Sequence, residues 1–225
     1  MAAILKTYSG MLLESLGQTM LLTLLSLAFA FVIGLIFGLM NVSKSKVLNF
    51  IGTLYVDAVR GVPLIVLAYF IYFGVPAGVK AMGVASFKLS ALQAGTIALS
   101  MNAGAYMAEI FRAGIQSVDK GQMEAARSLG LPYWRAMHRV VMPQAIKTMI
   151  PSIINQFIIT LKDTSILSII GFPELINAAK NVNAVEGKVF EIWAIVGVMY
   201  LIVISILSII AKRLERRLNA GRERG

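Results

Sequence analysis

The chain has 225 residues, of which 58% are hydrophobic and 14% are charged, and its mean hydropathy is +0.78. Soluble domains carry about 25% charged residues, so this composition indicates an integral membrane protein with a single transmembrane domain over residues 1–225. The net charge of +10 would favour nucleic acid binding in a soluble protein, but here the basic residues flank apolar segments. The lack of cysteine and the single histidine, His138, exclude thiolate chemistry and a metal site rich in these residues.

Five apolar segments are long enough to cross a bilayer, whose hydrocarbon core of about 30 Å needs roughly 20 helical residues. The sequence therefore predicts an all-α protein with about five transmembrane helices, at residues 17–40, 49–73, 89–113, 144–170 and 192–211. We expect the segment around Pro76 to end the second helix and Pro151 to interrupt the fourth. A loop is predicted at 80–86 and a short helix at 173–181, and the basic tail from Lys212 to Gly225 is expected to fray.

Basic residues are concentrated in the turn after the first helix, in the segment after the third helix and in the C-terminal tail. Cytoplasmic segments of membrane proteins are enriched in Lys and Arg, so these three segments are predicted to be cytoplasmic. With five helices, the N-terminus then lies outside and the C-terminus in the cytoplasm. The first apolar run lacks a small-residue cleavage signal and is interpreted as a retained helix. The tail is either solvated or in contact with anionic lipid.

One polar segment, residues 119–140, separates the third and fourth predicted helices. Asp119 can cap a short helix, with Gln122 as the partner in a weak capping box. Gly130 can end that helix, and Pro132 suits the first turn of a second one. A short helix of this kind fits a groove in another protein, and an amphipathic helix on the bilayer surface is the alternative. The residues alone leave both interpretations open.

Four sequence motifs together resemble one family of membrane proteins. They are Glu124-Ala125-Ala126 followed by Gly130, AYMAEIFRAGIQSV at 105–118, Arg60-Gly61-Val62-Pro63-Leu64, and Lys162-Asp163-Thr164-Ser165. The first resembles the EAA signature of the permease subunits of bacterial ATP-binding-cassette (ABC) importers. The whole set is similar to the polar amino acid permeases of the histidine, glutamine and arginine type, although Val62 stands where a threonine is common in that family.

This resemblance implies a type I ABC importer fold, in which residues 119–140 contain a cytoplasmic coupling helix between helices 3 and 4. The residues that it implies as contacts of the ATPase are Glu124, Ala125, Ala126, Leu129 and Gly130. It implies a multi-pass protein of the bacterial cell membrane that moves polar amino acids into the cytoplasm. The three acids in the predicted membrane helices, Asp57, Glu109 and Asp163, favour a basic amino acid as the solute. A passive channel or a membrane adaptor is the alternative function.

The partners implied by the resemblance are a pair of cytoplasmic ATP-binding subunits, a second permease subunit and an external solute-binding protein. The permease pair is either a homodimer of this chain or a pair of two related chains. ATP and Mg²⁺ are expected on the ATPase subunits, because no P-loop sequence occurs in this chain. For the chain itself we expect no catalytic residue, cofactor, metal or nucleic acid partner.

Ionisable residues inside membrane helices are costly and usually face a cavity. The candidates for a solute site are Asp57, Arg60, Asn102, Asp163, Thr164 and Ser165. Arg60 can bind an α-carboxylate through two hydrogen bonds, and either aspartate can bind an ammonium group. The alternatives are an Asp57–Arg60 structural ion pair and hydroxyls that bond their own helix backbone. Glu109 and Arg112 are predicted to form a gating or structural pair.

Overall fold

The computed structural model of the protein is described for residues 1–84 and 87–220, with side chains considered as far as Arg213. Regular structure in this part of the chain is entirely helical, which confirms the all-α prediction. Its helical segments are α1 (Ala2–Asn41), α2 (Lys46–Gly61), α3 (Leu64–Ala81), α4 (Ala91–Gln116), α5 (Lys120–Ser128), α6 (Tyr133–Ile170), α7 (Leu175–Glu186) and α8 (Val189–Ala220). Four segments of the described chain are long and apolar enough to cross a membrane: α1, α3, α6 and Val189–Arg213 of α8.

The central helix of the bundle is α4, which is not among those four. Its buried face is formed largely by small residues, including Ala94, Ala98, Ala103, Gly104 and Ala108. These residues allow α1 to approach α4 closely. The approach is so close at Gly38 of α1 that a Cβ added there would lie 2.9 Å from the Cβ of Phe111. Membrane helices often pack through small residues, since lipid gives apolar side chains no preference for the protein interior. We therefore describe α4 as a fifth membrane helix with a low hydropathy.

The contacts between helices show in which direction four of the membrane helices run. α1 and α4 run the same way, because Gly38 and Phe111 meet near the ends of both helices. α6 runs the opposite way, since Met149 in its first half packs with Phe111 and Leu167 packs near the start of α4. α8 begins beside the first turns of α1, where Ile192 is buried. The last turns of α1 and α4 therefore lie with α5 at one end of the molecule, which we call the α5 end; the opposite end is the α7 end.

α1 extends well beyond the predicted 17–40, since it begins at Ala2 and contains 40 residues. At 1.5 Å per residue it is about 60 Å long, twice the thickness of the hydrocarbon core. Its first turns pack against α7 and α8 through Ile4 and Leu12. α7 is likewise longer than the predicted helix at 173–181.

The predicted second helix at 49–73 is two helices, α2 and α3. Val62 has an extended backbone, with φ −103° and ψ 128°, and Pro63 follows it. Proline disfavours the helical conformation in the residue before it and cannot donate a backbone hydrogen bond. The prediction of a continuous helix was wrong because the apolar composition was given more weight than Pro63.

Two other prolines do not end their helices. A π-helical turn, Phe70–Gly74, lies just before Pro76, and a second one, Met137–Val141, lies just before Pro143. Proline clashes with the carbonyl four residues earlier in a regular α-helix, and a wider turn relieves that contact. Helix α3 therefore continues to Ala81, and α6 is continuous from Tyr133 although residue 144 was the predicted start.

The tail predicted to fray from Lys212 to Gly225 is helical at its start, because α8 continues to Ala220, and residues 221–225 lie outside the described residues. The basic side chains of Arg216, Arg217, Arg222 and Arg224 lie outside the described residues. Residues 85 and 86 of the predicted 80–86 loop lie outside them as well.

Candidate functional site

A polar cleft lies between α4 and α6, in the half of the molecule nearest the α5 end. Its volume is about 680 Å³. The polar side chains that line it are Tyr106, Glu109 and Ser117 of α4 and Thr148, Ser152, Asn155 and Gln156 of α6. Ligand pockets typically enclose about 300–1,000 Å³ and contain a few convergent polar groups. The cleft is therefore large enough for a small polar solute and offers it amides, hydroxyls and a carboxylate.

At the edge of the cleft, the carboxylate of Glu109 lies between two arginines. Arg112 donates from Nη2 to Oε2 at 2.7 Å and from Nε to Oε1 at 3.2 Å, so it contacts both carboxylate oxygens. Arg60, at the end of α2, approaches the same carboxylate, with Nη1 4.0 Å from Oε2. The guanidinium of Arg60 also lies 5.0 Å from the centre of the Tyr106 ring, within the range of a cation–π contact.

Local sequence explains this cluster. Tyr106, Glu109 and Arg112 follow one another at intervals of three residues on α4, so neighbouring side chains of the set can touch. Arg60 precedes the break at Val62 and Pro63, which ends α2 beside this part of α4. The predicted Glu109–Arg112 pair is present as a direct ion pair.

The structure brings Arg60 to Glu109, and it does not pair Arg60 with Asp57. Asp57 is exposed on α2, and the described side chains include no ion pair between these two residues. Asn102 is buried in α4, 7% exposed, on the turn before Tyr106. Of the six predicted solute-site residues, Arg60 is thus the one whose contacts lie at the cleft.

The other three predicted residues lie at the far end of α6, away from the cleft lining. The hydroxyl of Thr164 donates to the carbonyl of Leu161 at 2.7 Å, and that of Ser165 donates to the carbonyl of Lys162 at 2.6 Å. Both hydroxyls therefore bond their own backbone, which was the alternative interpretation of these residues. Asp163 is partly buried at the end of the α-helical part of α6.

Sequence reasoning missed the α6 wall of the cleft. Ser152 follows Thr148 by four residues, and the adjacent Asn155 and Gln156 follow Ser152 by three and four, which places all of them on one helix face. That spacing was visible in the sequence. Uncharged polar side chains indicate a site less strongly than Asp or Arg do, because they cost less free energy in a membrane helix.

The short helix α5 carries the predicted coupling residues. Its Asp119 accepts a hydrogen bond from the backbone N–H of Gly121 at 2.7 Å, in place of the predicted capping box. Gly130 has a φ of +86°, in agreement with the predicted helix stop. Ala126 faces inward, 5% exposed, whereas Leu129 is 85% exposed.

The remaining coupling candidates, Glu124 and Ala125, are exposed as well. α5 is tied to α6 by Gln144, whose Nε2 donates to Oε1 of Gln122 at 3.2 Å. An exposed apolar side chain beside small residues on an anchored helix is suited to a groove in a partner protein.

At the α7 end, Glu174 is a buried carboxylate with 0% exposure. It caps α7 by accepting hydrogen bonds from the backbone N–H groups of Ile176 and Asn177 at 2.8 and 2.6 Å, and Tyr200 of α8 donates its hydroxyl at 3.2 Å. Burial raises the pKa of Glu174 to about 7, against the opposite effect of these hydrogen bonds. No group of three or more His, Cys, Asp or Glu that could hold a metal ion occurs in the described part of the chain.

Comparison with known proteins gives consistent matches. Residues 30–220 match the family described as the binding-protein-dependent transport system inner membrane component. The chain is 39% identical to the probable glutamine ABC transporter permease protein GlnM of Bacillus subtilis, over 93% of this chain and 94% of that protein. It is 33% identical to the arginine transport system permease protein ArtQ of the same organism, over 93% of each.

A solved structure described as an amino acid ABC transporter with histidines has the same fold. It superposes with a TM-score of 0.87, is 37% identical in sequence, and the match covers 95% of this chain and 96% of that one. The resemblance seen in the four sequence motifs thus extends over nearly the whole chain.

Proposed function

The chain belongs to the family of binding-protein-dependent transport system inner membrane components, and from this premise we propose that it is the membrane permease subunit of an ABC importer for polar amino acids. The observation that carries the proposal is full-length similarity to permeases named for glutamine and for arginine. Glutamine is neutral and has a side-chain amide, whereas arginine is a cation. Basic amino acids are therefore included among the candidate solutes.

The energy for transport comes from separate ATPase subunits, which bind ATP and Mg²⁺. We propose that α5 is the coupling helix that these subunits move, with the exposed Glu124, Ala125, Leu129 and Gly130 as its contact residues. Ala126, the fifth residue implied by the resemblance, faces inward and packs α5 against the rest of the chain. The exposure of Leu129 supports this role, because a surface of this kind is stabilised when a partner covers it. A passive channel or adaptor remains the competing function.

We propose that the solute is held in the polar cleft and that Arg60 binds its α-carboxylate. Two observations support this: Arg60 ends beside the cleft, and its side chain is 40% exposed. The amides of Asn155 and Gln156 are suited to the polar side chain of a solute. Asp57, Asn102, Asp163, Thr164 and Ser165 stay candidates for contacts on the rest of the path.

The proposed assembly contains two copies of this chain, two ATPase subunits and an external solute-binding protein. The α5 end faces the cytoplasm in this proposal, and the N-terminus lies outside. The excess of basic residues at the α5 end supports that orientation.

Uptake in liposomes tests the function. The chain is co-expressed with an ATPase subunit, purified as a complex and reconstituted with the solute-binding protein. We expect uptake of radiolabelled L-glutamine or L-arginine that requires ATP and stops when the ATPase is left out. Uptake at the same rate without the ATPase would favour the channel.

A further inference from the structure

Two contacts hold the guanidinium of Arg60 in place, and no side chain or backbone group in the described part of the chain accepts a hydrogen bond from it. Within the described residues its ion pair is with Glu109, at 4.0 Å, which exceeds hydrogen-bond distance. Its other contact is the face of Tyr106 at 5.0 Å. The N–H groups of Arg60 are therefore available to another carboxylate, while Tyr106 and Glu109 keep the side chain next to the cleft.

Glu109 cannot move to Arg60 without losing a better partner. Arg112 bonds both of its oxygens, and Arg112 is itself held by a 2.8 Å hydrogen bond from Nη1 to Oε1 of Gln116. A paired, two-oxygen contact of this kind is stronger than a single approach at 4.0 Å. Glu109 thus attracts Arg60 weakly from a fixed position.

We propose that Glu109 is an internal competitor of the solute for Arg60. This inference rests on the proposed function. When the cleft is empty, Glu109 draws Arg60 and the end of α2 toward α4. A solute α-carboxylate accepts two hydrogen bonds from the guanidinium and so replaces the weaker contact with Glu109. Occupation of the cleft then releases the end of α2 from Glu109, and Glu109 is a positioning residue that acts through Arg60.

The test measures equilibrium binding of L-glutamine and L-arginine to the purified transporter complex. Glu109→Gln removes the competing charge and is expected to tighten binding about two- to fivefold, the range for one partly exposed ion pair. Arg112→Gln frees Glu109 to bond Arg60 directly and is expected to weaken binding by a similar factor. A purely structural role would weaken binding in both variants, so the opposite signs are diagnostic.

A chemical control uses L-glutamine amide, in which the α-carboxylate is blocked. Glu109→Gln is expected to leave its binding unchanged, because this ligand does not compete for a carboxylate site. Glu109→Asp, which retracts the carboxylate but retains its charge, is expected to bind L-glutamine with intermediate affinity. Binding by Glu109→Gln that equals or falls below that of the unmodified protein would overturn the inference.

Failure of the proposed site gives a different result. If Arg60→Ala binds L-glutamine and L-arginine as tightly as the unmodified protein does, the carboxylate site is elsewhere and both proposals fall. If Arg60→Ala weakens binding and Glu109→Gln does not tighten it, the site stands and the competition is refuted.

Discussion

Glu174 and Glu109 show how single charged residues are used at the two ends of the bundle. Glu109 is accessible and bound by Arg112, whereas Glu174 is sealed from solvent and bound by backbone N–H groups and a tyrosine. The first arrangement leaves a nearby arginine available to a ligand. The second places a titratable group where α1, α7 and α8 meet.

The stability of the α7 end is expected to depend on Glu174 and pH. Its pKa in the folded protein, about 7, is above the ordinary 4.5, so folding favours the protonated form. The resulting stabilisation is fully present below about pH 4.5 and is lost as the pH rises through about 7. A shift of this size corresponds to about 3 kcal/mol of unfolding free energy.

Thermal unfolding of the purified protein in detergent at pH 5 and pH 8 measures this effect. Glu174→Gln is expected to reduce the difference between the two midpoints. Glu14→Gln, a change at an exposed carboxylate of α1, serves as the matched control and should retain it. Equal pH dependence in Glu174→Gln and the unmodified protein would show that Glu174 does not titrate in this range.

At the scale of helices, the contact between α1 and α4 depends on the absence of side chains. Gly38→Ala would place a methyl group 2.9 Å from the Cβ of Phe111 and 3.0 Å from the carbonyl oxygen of Ala108. Because both neighbours belong to a packed helix, the helices must separate, at an expected cost of about 1–3 kcal/mol. The measurement is the unfolding midpoint in detergent.

Gly17→Ala is the matched control for this prediction. Gly17 also lies in α1, but no atom would lie within 4 Å of an added Cβ. Alanine there is expected to be neutral or slightly stabilising, because it reduces the freedom of the unfolded chain. A Gly38→Ala protein as stable as Gly17→Ala would contradict the close packing of the two helices.

A second prediction at this scale concerns α5. Gly130→Asp adds a negative charge next to the exposed Leu129 and is expected to reduce coupled uptake about tenfold while ATP hydrolysis continues, because a charge is costly in a covered interface. Gly130→Asn is the control. Asparagine is about the same size as aspartate and is strained to a similar degree at the positive φ of this position, but it carries no charge. Uptake and ATPase rates are measured in the same liposomes. Equal losses in the two variants would assign the effect to the backbone instead.

For the whole molecule, the sequence predicted the helical class, the polar segment at 119–140 and the Glu109–Arg112 pair. These features follow from local composition and from spacings of a few residues. The Arg60–Glu109 contact could not be predicted in the same way, because it joins α2 to α4 and depends on how the break at Pro63 directs the chain. The continuity of α6 through Pro143 was not predicted either. It depends on the π-helical turn before that proline, and the sequence alone does not show whether such a turn forms.

The continuity of α6 has a mechanical consequence. The helix starts three residues after Gly130 and ends at Ile170, where Gly171 turns the chain toward α7. Its 38 residues form a lever about 57 Å long. A tilt of about 5° imposed at one end would displace the other by about 5 Å if the helix moves as one body. A displacement of α6 at the α5 end can thus be delivered to the α7 end by one element, with no relay of separate contacts between them.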